Sequence, residues 1–424
     1  MFMGIASNNA DGLVEDPAVS ARVMFAAGGT GGHVFPAIAI ADALTIAHKS
    51  VTVQFLGTRH RLEASAVPRA GYTLRHIPAV PLRRPIFLSP QNLLLPFRLI
   101  LSIAAALQLL LAFRPHVVVG TGGYISGPIC FAALLCGCPF VIQEQNVCPG
   151  LANKILASFA TSVFVAFADA LVHFPSEKCI VSGNPVRWTL QQLVLKRTAL
   201  RHFFPSSILL SDEATQCDDE HCEIVFIQGG SLGAKSLNQA VIGFAEEMLE
   251  KHPKRFLIWQ TGPKHFKGVL NKLRSHERLF ICEFLLDMNL AYSAADLVVA
   301  CSGAITCSEL LNLGKPSILI PLQYVADNHQ RNNAAVLERA GAARILDDVG
   351  LTPEKLEGAI NELLGDKAIL ASMCKNALKI ATPSAADLIA QEVFLLAWRH
   401  ASRRVTKKFQ DVAKMQPMQF PQEN

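Results

Sequence analysis

The sequence predicts an α/β protein with two tandem Rossmann-like domains whose parallel sheets face a common cleft, and three observations predict it. Short apolar runs ending in glycine alternate with stretches of helical periodicity: "RVMFAAGG" is followed by "FPAIAIADALTIAHK" and then by "SVTVQFLG", which makes a β-α-β unit. The runs "VVVG" and "LVVACSG" are almost wholly apolar, as expected of strands in a parallel sheet covered on both faces. The pattern also occurs twice. Strand, "GGTGGH" and helix at residues 23–47 correspond to strand, "GGSLGA" and helix at 224–249, and Gly137 and Pro139, which precede a later strand, match Gly314 and Pro316.

Taken in order, the first 20 residues are polar and acidic, with no basic start and no apolar core, and read as a disordered extension rather than a signal peptide. At 424 residues the chain suits two domains of about 150 to 200 residues each. The first is placed at 21–185 and the second at 186–400, with the last helix able to return to the first domain and a tail at 401–424. The boundary falls between Gly183 and Cys222, and "SDEATQCDDEHC" at 211–222 reads as a surface loop. Its cysteine, acidic and histidine residues match no zinc spacing, so no metal is expected.

Charge and cysteine usage narrow the partners. A net charge of +5 is a mild bias, which argues against a dedicated nucleic-acid binder and suits an anionic substrate or membrane surface at least as well. Eleven cysteines with no C-x-x-C pair read as reduced packing residues of a cytosolic protein. From Leu99 to Phe113 only Ser102 and Gln108 are polar, yet those residues reach only about 22 Å as a helix, short of the hydrocarbon core. A buried crossover helix is expected there. In the preceding loop, Arg83, Arg84 and Arg98 bracket Ile86, Phe87, Leu88 and Leu93 to Leu95, a pattern suited to contact with an anionic membrane over residues 82–98.

Four glycine turns carry the chemistry. Gly28 to Gly32 fail the dinucleotide fingerprint, because Val34 stands where a third glycine is needed and the second strand ends at Gly57 without an acid; this argues against NAD. What remains is a helix N-terminus that favours an anion. His33 sits at its start, where an imidazole with an ordinary pKa near 6.5 suits a general base and equally suits a structural cap. "GGSLG" at 229–233 fits the G-x-S-x-G elbow of a hydrolase, for which Asp296 or Asp327 with His329 would complete a triad. It also fits a phosphate cradle, with Ser231 as hydroxyl donor, backbone N–H groups to Ala234, and Lys235 as countercharge. Glu309, following "SGAITCS", can accept both hydroxyls of a ribose or can be a solvated first-turn glutamate.

Together, "GGTGGHVFPA", "LGT", "GTGGYISGP", "QEQN", "GNPVR", "GGSLGAKSLN", "CSGAITCSE" and "DNHQRNNA" resemble, in order and spacing, the MurG family of peptidoglycan glycosyltransferases over about residues 21–400. The resemblance implies a GT-B fold and an inverting transfer of N-acetylglucosamine from UDP to the 4-hydroxyl of undecaprenyl-pyrophosphoryl-N-acetylmuramoyl-pentapeptide, lipid I to lipid II. It implies no cofactor or metal, a peripheral position on the cytoplasmic face of the cell membrane, and partners among cell-wall synthesis proteins. It places the UDP-sugar on Thr30, Gly31, Gly32, Asn146, Arg187, Ser231, Leu285, Ala304, Ile305, Thr306, Cys307, Ser308, Glu309 and Gln330. The acceptor pyrophosphate falls to Gly28, Gly29, Gly122, Gly123 and Tyr124. His33 is the first choice of catalytic base and Glu144 the second. Where the family reads "HEQN" this chain has Gln143, so a histidine role there does not transfer. A UDP-sugar transferase, a serine hydrolase and a non-catalytic nucleotide-sugar binder are the classes in view.

Overall fold

The computed structural model describes residues 20–79, 93–205, 208, 222–323 and 328–415. The expectations for the extension before Ser20, for Arg83, Arg84, Ile86, Phe87 and Leu88, for residues 211–221, for Asp327 and for the end of the tail lie outside the described residues.

The first sheet comprises β1 (Arg22–Ala26), β2 (Thr52–Gly57), β3 (Thr73–His76), β4 (Val117–Gly120), β5 (Phe140–Glu144), β6 (Ser162–Val165) and β7 (Cys179–Val181). Its order is β3-β2-β1-β4-β5-β6-β7, all pairs parallel. The crossovers include α1 (Gly31–Ala47), α2 (Glu63–Arg69), α3 (Leu95–Phe113), α4 (Gly123–Leu135) and α5 (Leu151–Leu156), and α6 (Trp188–Gln191) and α7 (Lys196–Phe203) lead onward. The second sheet comprises β8 (Glu223–Gln228), β9 (Arg255–Gln260), β10 (Leu279–Cys282), β11 (Leu297–Ala300), β12 (Ser317–Leu319) and β13 (Ala343–Ile345), ordered β10-β9-β8-β11-β12-β13 and again parallel. Its helices are α8 (Lys235–Lys251), α9 (Phe266–Leu270), α10 (Met288–Ala294), α11 (Ala304–Asn312) and α12 (His329–Arg339), followed by α13 (Pro353–Gly365), α14 (Lys367–Lys379) and α15 (Ala385–Met415).

The duplication read from the sequence is a duplication of topology. In each sheet the strand order reverses between the first strand and the fourth, and these neighbours end in register, Ala26 opposite Gly120 and Gln228 opposite Ala300. Ligands of open α/β sheets bind at such switch points, beyond the carboxyl ends of the strands. All four glycine turns lie there. The apolar strands are covered on both faces: Val117 and Val119 enter one core cluster and Val118 the other, while Val225 and Ile227 oppose Ile224 and Phe226.

The last helix returns to the first sheet. Ile389, Ala390, Val393, Phe394 and Ala397, a helical stripe, pack with Val23, Phe25, Ile40 and Leu44. In the other direction Val147 and Phe167 of the first half join the core of the second sheet.

Two expectations need correction. The helix before β4 begins at Leu95 because proline is tolerated in a first turn, so it has 19 residues and is long and apolar enough, by length and composition, to cross a membrane. It is not a buried crossover helix. Only Ser102, Ala106 and Leu110, one stripe at a spacing of four, are buried, whereas Phe97 is 73 %, Ile100 63 %, Leu101 57 % and Leu111 64 % exposed. Among the described cysteines nine are free, but Cys222, where the loop enters β8, is disulfide-bonded, so the expectation of uniformly reduced thiols fails there.

Candidate active site

On the first sheet, the turns after β1 and β4 meet around one imidazole. Gly122 and Gly123 adopt φ of 90° and 77°, a region that disfavours side chains, and a Cβ at either would come within 3.2 Å or 3.3 Å of the His33 ring. The ring therefore rests on bare backbone. His33 Nδ1 lies 3.2 Å from Thr30 Oγ1, and its carbonyl accepts the Thr121 hydroxyl at 2.8 Å. Tyr124 packs against Gly29. The N-termini of α1 and α4 thus converge, with Gly31 and Gly32 ahead of the first intrahelical bonds and the positive ends of both helix dipoles aimed together.

Burial, with His329 of the second half adding repulsion, pushes the His33 imidazole down to about 4. It is therefore neutral at pH 7, ready to accept a proton, but it is a weaker base than its ordinary pKa implies.

Glu144 behaves as an anchor. Its Oε1 accepts the N–H and Nδ2 of Asn146 at 3.0 and 3.2 Å, and its Oε2 accepts the Gly150 N–H at 3.1 Å and Asn153 Nδ2 at 2.8 Å. Four donors leave no oxygen aimed at a substrate, so the second candidate base is a positioning residue of the loop that carries Asn146. Asn146 Oδ1 in turn accepts Asn333 Nδ2 at 3.2 Å, which ties that loop to α12.

On the second sheet, α8 and α11 start at the matching switch point. Gly233 has φ 80°, and a Cβ there would fall 2.2 Å from the Thr261 carbonyl, so the cradle "GGSLGA" requires glycine. Ser231 is exposed on it and Lys235 opens α8. Among the described residues the hydrolase triad does not assemble through Asp296, which holds Lys196 Nζ at 2.7 Å and donates its amide to Ile224 O at 3.0 Å, at the amino end of β8, the opposite end of that strand from the turn carrying Ser231.

Glu309 is buried rather than solvated, and Tyr292 Oη donates to its Oε2 at 2.8 Å while accepting Gln228 Nε2 at 2.7 Å. Burial raises the Glu309 pKa, against the Arg187 charge and the Tyr292 bond, which lower it. The Arg187 guanidinium lies 4.6 Å from the ring centre of Phe35 on α1, so it stands between the two halves. Leu285 is buried, and its amide donates to Gln260 Oε1 at 2.9 Å. Gln330 Oε1 accepts the Leu322 N–H at 2.9 Å. Ala304, Ile305, Thr306 and Ser308 line the first turns of α11, while the Cys307 side chain packs in the core, where burial raises its thiol pKa; only its backbone can face the cleft.

Sequence reasoning missed the groups that hold these turns. Buried Glu63 accepts the Gly29 N–H at 2.9 Å and the Thr58 N–H at 3.0 Å, clamping "GGTGG" to "LGT". Asn184, inside the quoted "GNPVR", donates to Gln145 O at 3.0 Å and to Ser308 Oγ at 2.9 Å, bridging the halves. Its position beside Gly183 and Pro185 was the available signal.

Comparison with known proteins agrees with this layout. Residues 23–165 match the glycosyltransferase family 28 N-terminal domain, and residues 224–391 match the glycosyltransferase family 28 C-terminal domain. The UDP-N-acetylglucosamine–N-acetylmuramyl-(pentapeptide) pyrophosphoryl-undecaprenol N-acetylglucosamine transferase of Salinibacter ruber is 40 % identical over 379 residues, covering 89 % of this chain and 98 % of the relative. The transferase of the same name from Clostridioides difficile is 34 % identical over 393 residues, 91 % of each. The crystal structure of Acinetobacter baumannii MurG superposes with a TM-score of 0.66 at 27 % identity, over 88 % of this chain and 99 % of that one.

Proposed function

The chain belongs to the MurG family of glycosyltransferases, and from that premise we propose how its two switch points divide the substrates. It is a UDP-N-acetylglucosamine-dependent transferase that converts lipid I to lipid II in peptidoglycan synthesis. The donor sits on the second sheet: its diphosphate lies on the backbone N–H groups from Ser231 to Ala234, with Lys235 as countercharge, and its ribose on Glu309. The acceptor pyrophosphate lies on the first sheet, between the turns Gly28–Gly32 and Gly122–Tyr124.

Transfer is a single displacement. His33 takes the proton of the 4-hydroxyl of the muramoyl sugar, the freed oxygen attacks the anomeric carbon and inverts it, and UDP leaves against donors already in place. The observation that carries this reading is that His33, on the acceptor turns, and Glu309, on the donor helix, project from opposed switch points joined by Arg187 and Asn184. The exposed apolar face of α3, beside the acceptor turns, rests on the cytoplasmic face of the membrane that carries the acceptor lipid.

The test is turnover with UDP-N-acetylglucosamine and a water-soluble lipid I analogue, with the new linkage read by NMR. A β linkage is expected. An α linkage overturns the single displacement, and stoichiometric labelling of Ser231 by a fluorophosphonate overturns the phosphate cradle.

A further inference from the structure

A continuous run of buried hydrogen bonds crosses from the acceptor turns to the donor helix, and it passes through Gln143 on β5. It begins at His33, whose carbonyl accepts the Thr121 hydroxyl at 2.8 Å. The Thr121 carbonyl accepts Gln145 Nε2 at 2.8 Å, and the same amide nitrogen donates to Gln143 Oε1. Gln143 Nε2 donates to Asn184 Oδ1 at 3.0 Å. Asn184 Nδ2 reaches into the second half, where it donates to Ser308 Oγ at 2.9 Å, and that hydroxyl donates to Ala304 O at 3.0 Å in the first turn of α11. Thr121, Gln143, Gln145, Asn184 and Ser308 are all buried. Glu309, proposed to hold the ribose, follows Ser308 directly.

Backbone oxygens fix the direction of every link. The Thr121 carbonyl can only accept, so the Gln145 amide must present Nε2 to it; the reversed amide would set oxygen against oxygen. Gln145 keeps this orientation although its Oε1 is buried without a partner. At the other end Asn184 Nδ2 also donates to the Gln145 carbonyl at 3.0 Å, which turns Asn184 Oδ1 towards Gln143. Between these two ends only a side chain that accepts at one atom and donates at the other completes the run, and Gln143 does both. Such a buried network holds one geometry while its links are made, and breaking a link leaves desolvated groups unpaired.

We propose that Gln143 is a positioning residue for the transfer step: through Gln145 and Asn184 it sets the separation between the turn that carries His33 and the helix that carries Glu309, and so the distance between the acceptor hydroxyl and the anomeric carbon. Reacting atoms must come within about 3 to 3.5 Å, and a misplacement of about 1 Å can cost about 10²-fold in rate. Neutral amides and hydroxyls suit the role, because none of them titrates and the separation does not change with pH. The inference rests on the reading that the acceptor turns and α11 hold the two substrates.

The test is steady-state transfer to a soluble lipid I analogue, with kcat referred to the folded fraction measured by circular dichroism on the same samples. Gln143→Leu removes both polar atoms and fills the same space. It should lower kcat about 10- to 100-fold while both KM values stay near those of the wild type. Gln143→Glu gives a second readout. Its carboxylate can only accept and turns an oxygen on Asn184 Oδ1, whereas the protonated carboxyl accepts from Gln145 and donates to Asn184 as the amide does. Burial favours the neutral acid, so the ratio of its kcat to that of the wild type should rise as the pH falls below neutral. Wild-type kcat in folded Gln143→Leu, a loss carried by KM alone, or a Gln143→Glu ratio that is flat with pH overturns the role. Should Gln143→Leu fail to fold, the Gln143→Glu ratio decides, since its protonated form has the shape of the wild type. His33→Ala and Glu309→Ala report on the two-site reading in the same assay. If neither impairs transfer, that reading falls and this inference with it, whereas impairment of both beside a fully active Gln143→Leu overturns the positioning role alone.

Discussion

Tyr292 donates its phenolic hydrogen to Glu309 Oε2 at 2.8 Å inside the core of the second sheet, so the carboxylate that is proposed to hold the ribose is oriented from behind. Removing that hydroxyl leaves a buried carboxylate short of one donor, at a cost of about 1 to 3 kcal/mol. It also removes an interaction that lowers the Glu309 pKa. Tyr292→Phe should therefore raise the KM for UDP-N-acetylglucosamine at least fivefold, more steeply below neutral pH, with the acceptor KM unchanged. Steady-state kinetics with each substrate varied in turn checks this, and equal shifts in both KM values would remove Glu309 from the donor site.

His33 makes a sharper claim about pH. With its imidazole pushed down to about 4, the neutral form persists through the whole neutral range. The acid limb of kcat/KM for the wild-type enzyme should fall near the lowered value rather than near 6.5. His33→Ala should lower kcat by about 10² to 10⁴ with normal folding. A wild-type limb at 6.5 argues against the lowering of the His33 pKa, and a loss under about tenfold rejects the base role.

The duplicated fold and the positions of all four turns were legible in the sequence, because glycine runs after apolar strands report a local backbone need. The same reasoning failed for α3. Hydropathy gives the total of apolar residues but not the side on which they face solvent, and only the packing of Ser102, Ala106 and Leu110 against the domain shows that the larger side chains point outward. Glu63 and Asn153 were invisible for a different cause, and Asn184 and Asn333 stood inside quoted motifs without their partners being readable: each acts through hydrogen bonds to groups outside its own turn or strand, and no local pattern encodes a partner of that kind. Glu144 was visible but its partners were not, since a carboxylate beside a cleft looks alike in sequence whether its oxygens are free or fully bonded.

His116 links the docking of the last helix to acid. Burial, then Arg22, Arg404 and His400, pushes its imidazole down to about 4, and its Nδ1 accepts the Arg22 N–H at 3.0 Å, which requires the unprotonated ring. The folded chain keeps His116 neutral, while the unfolded chain protonates it near 6.5. Its stabilisation is thus complete above pH 6.5 and is lost as the pH falls from 6.5 towards 4. Urea midpoints for the wild type and for His116→Asn, which keeps an acceptor but cannot titrate, should converge across that window. A constant gap between them would show that His116 does not carry the dependence.

Glu144→Gln separates an anchor from a base. Replacing one carboxylate oxygen by an amide NH₂ sets a donor against donors from Asn146, Gly150 and Asn153, so the loop holding Asn146 loses order and its tie to Asn333. An unsatisfied buried donor costs about 1 to 3 kcal/mol, which should appear as a lower unfolding midpoint. Because the loop and α12 are connected, the donor KM should rise as well. With His33 as the proposed base, the pH profile of the residual activity should keep the wild-type shape. A variant with unchanged stability and a pH profile stripped of its acid limb would return the proton-accepting role to Glu144.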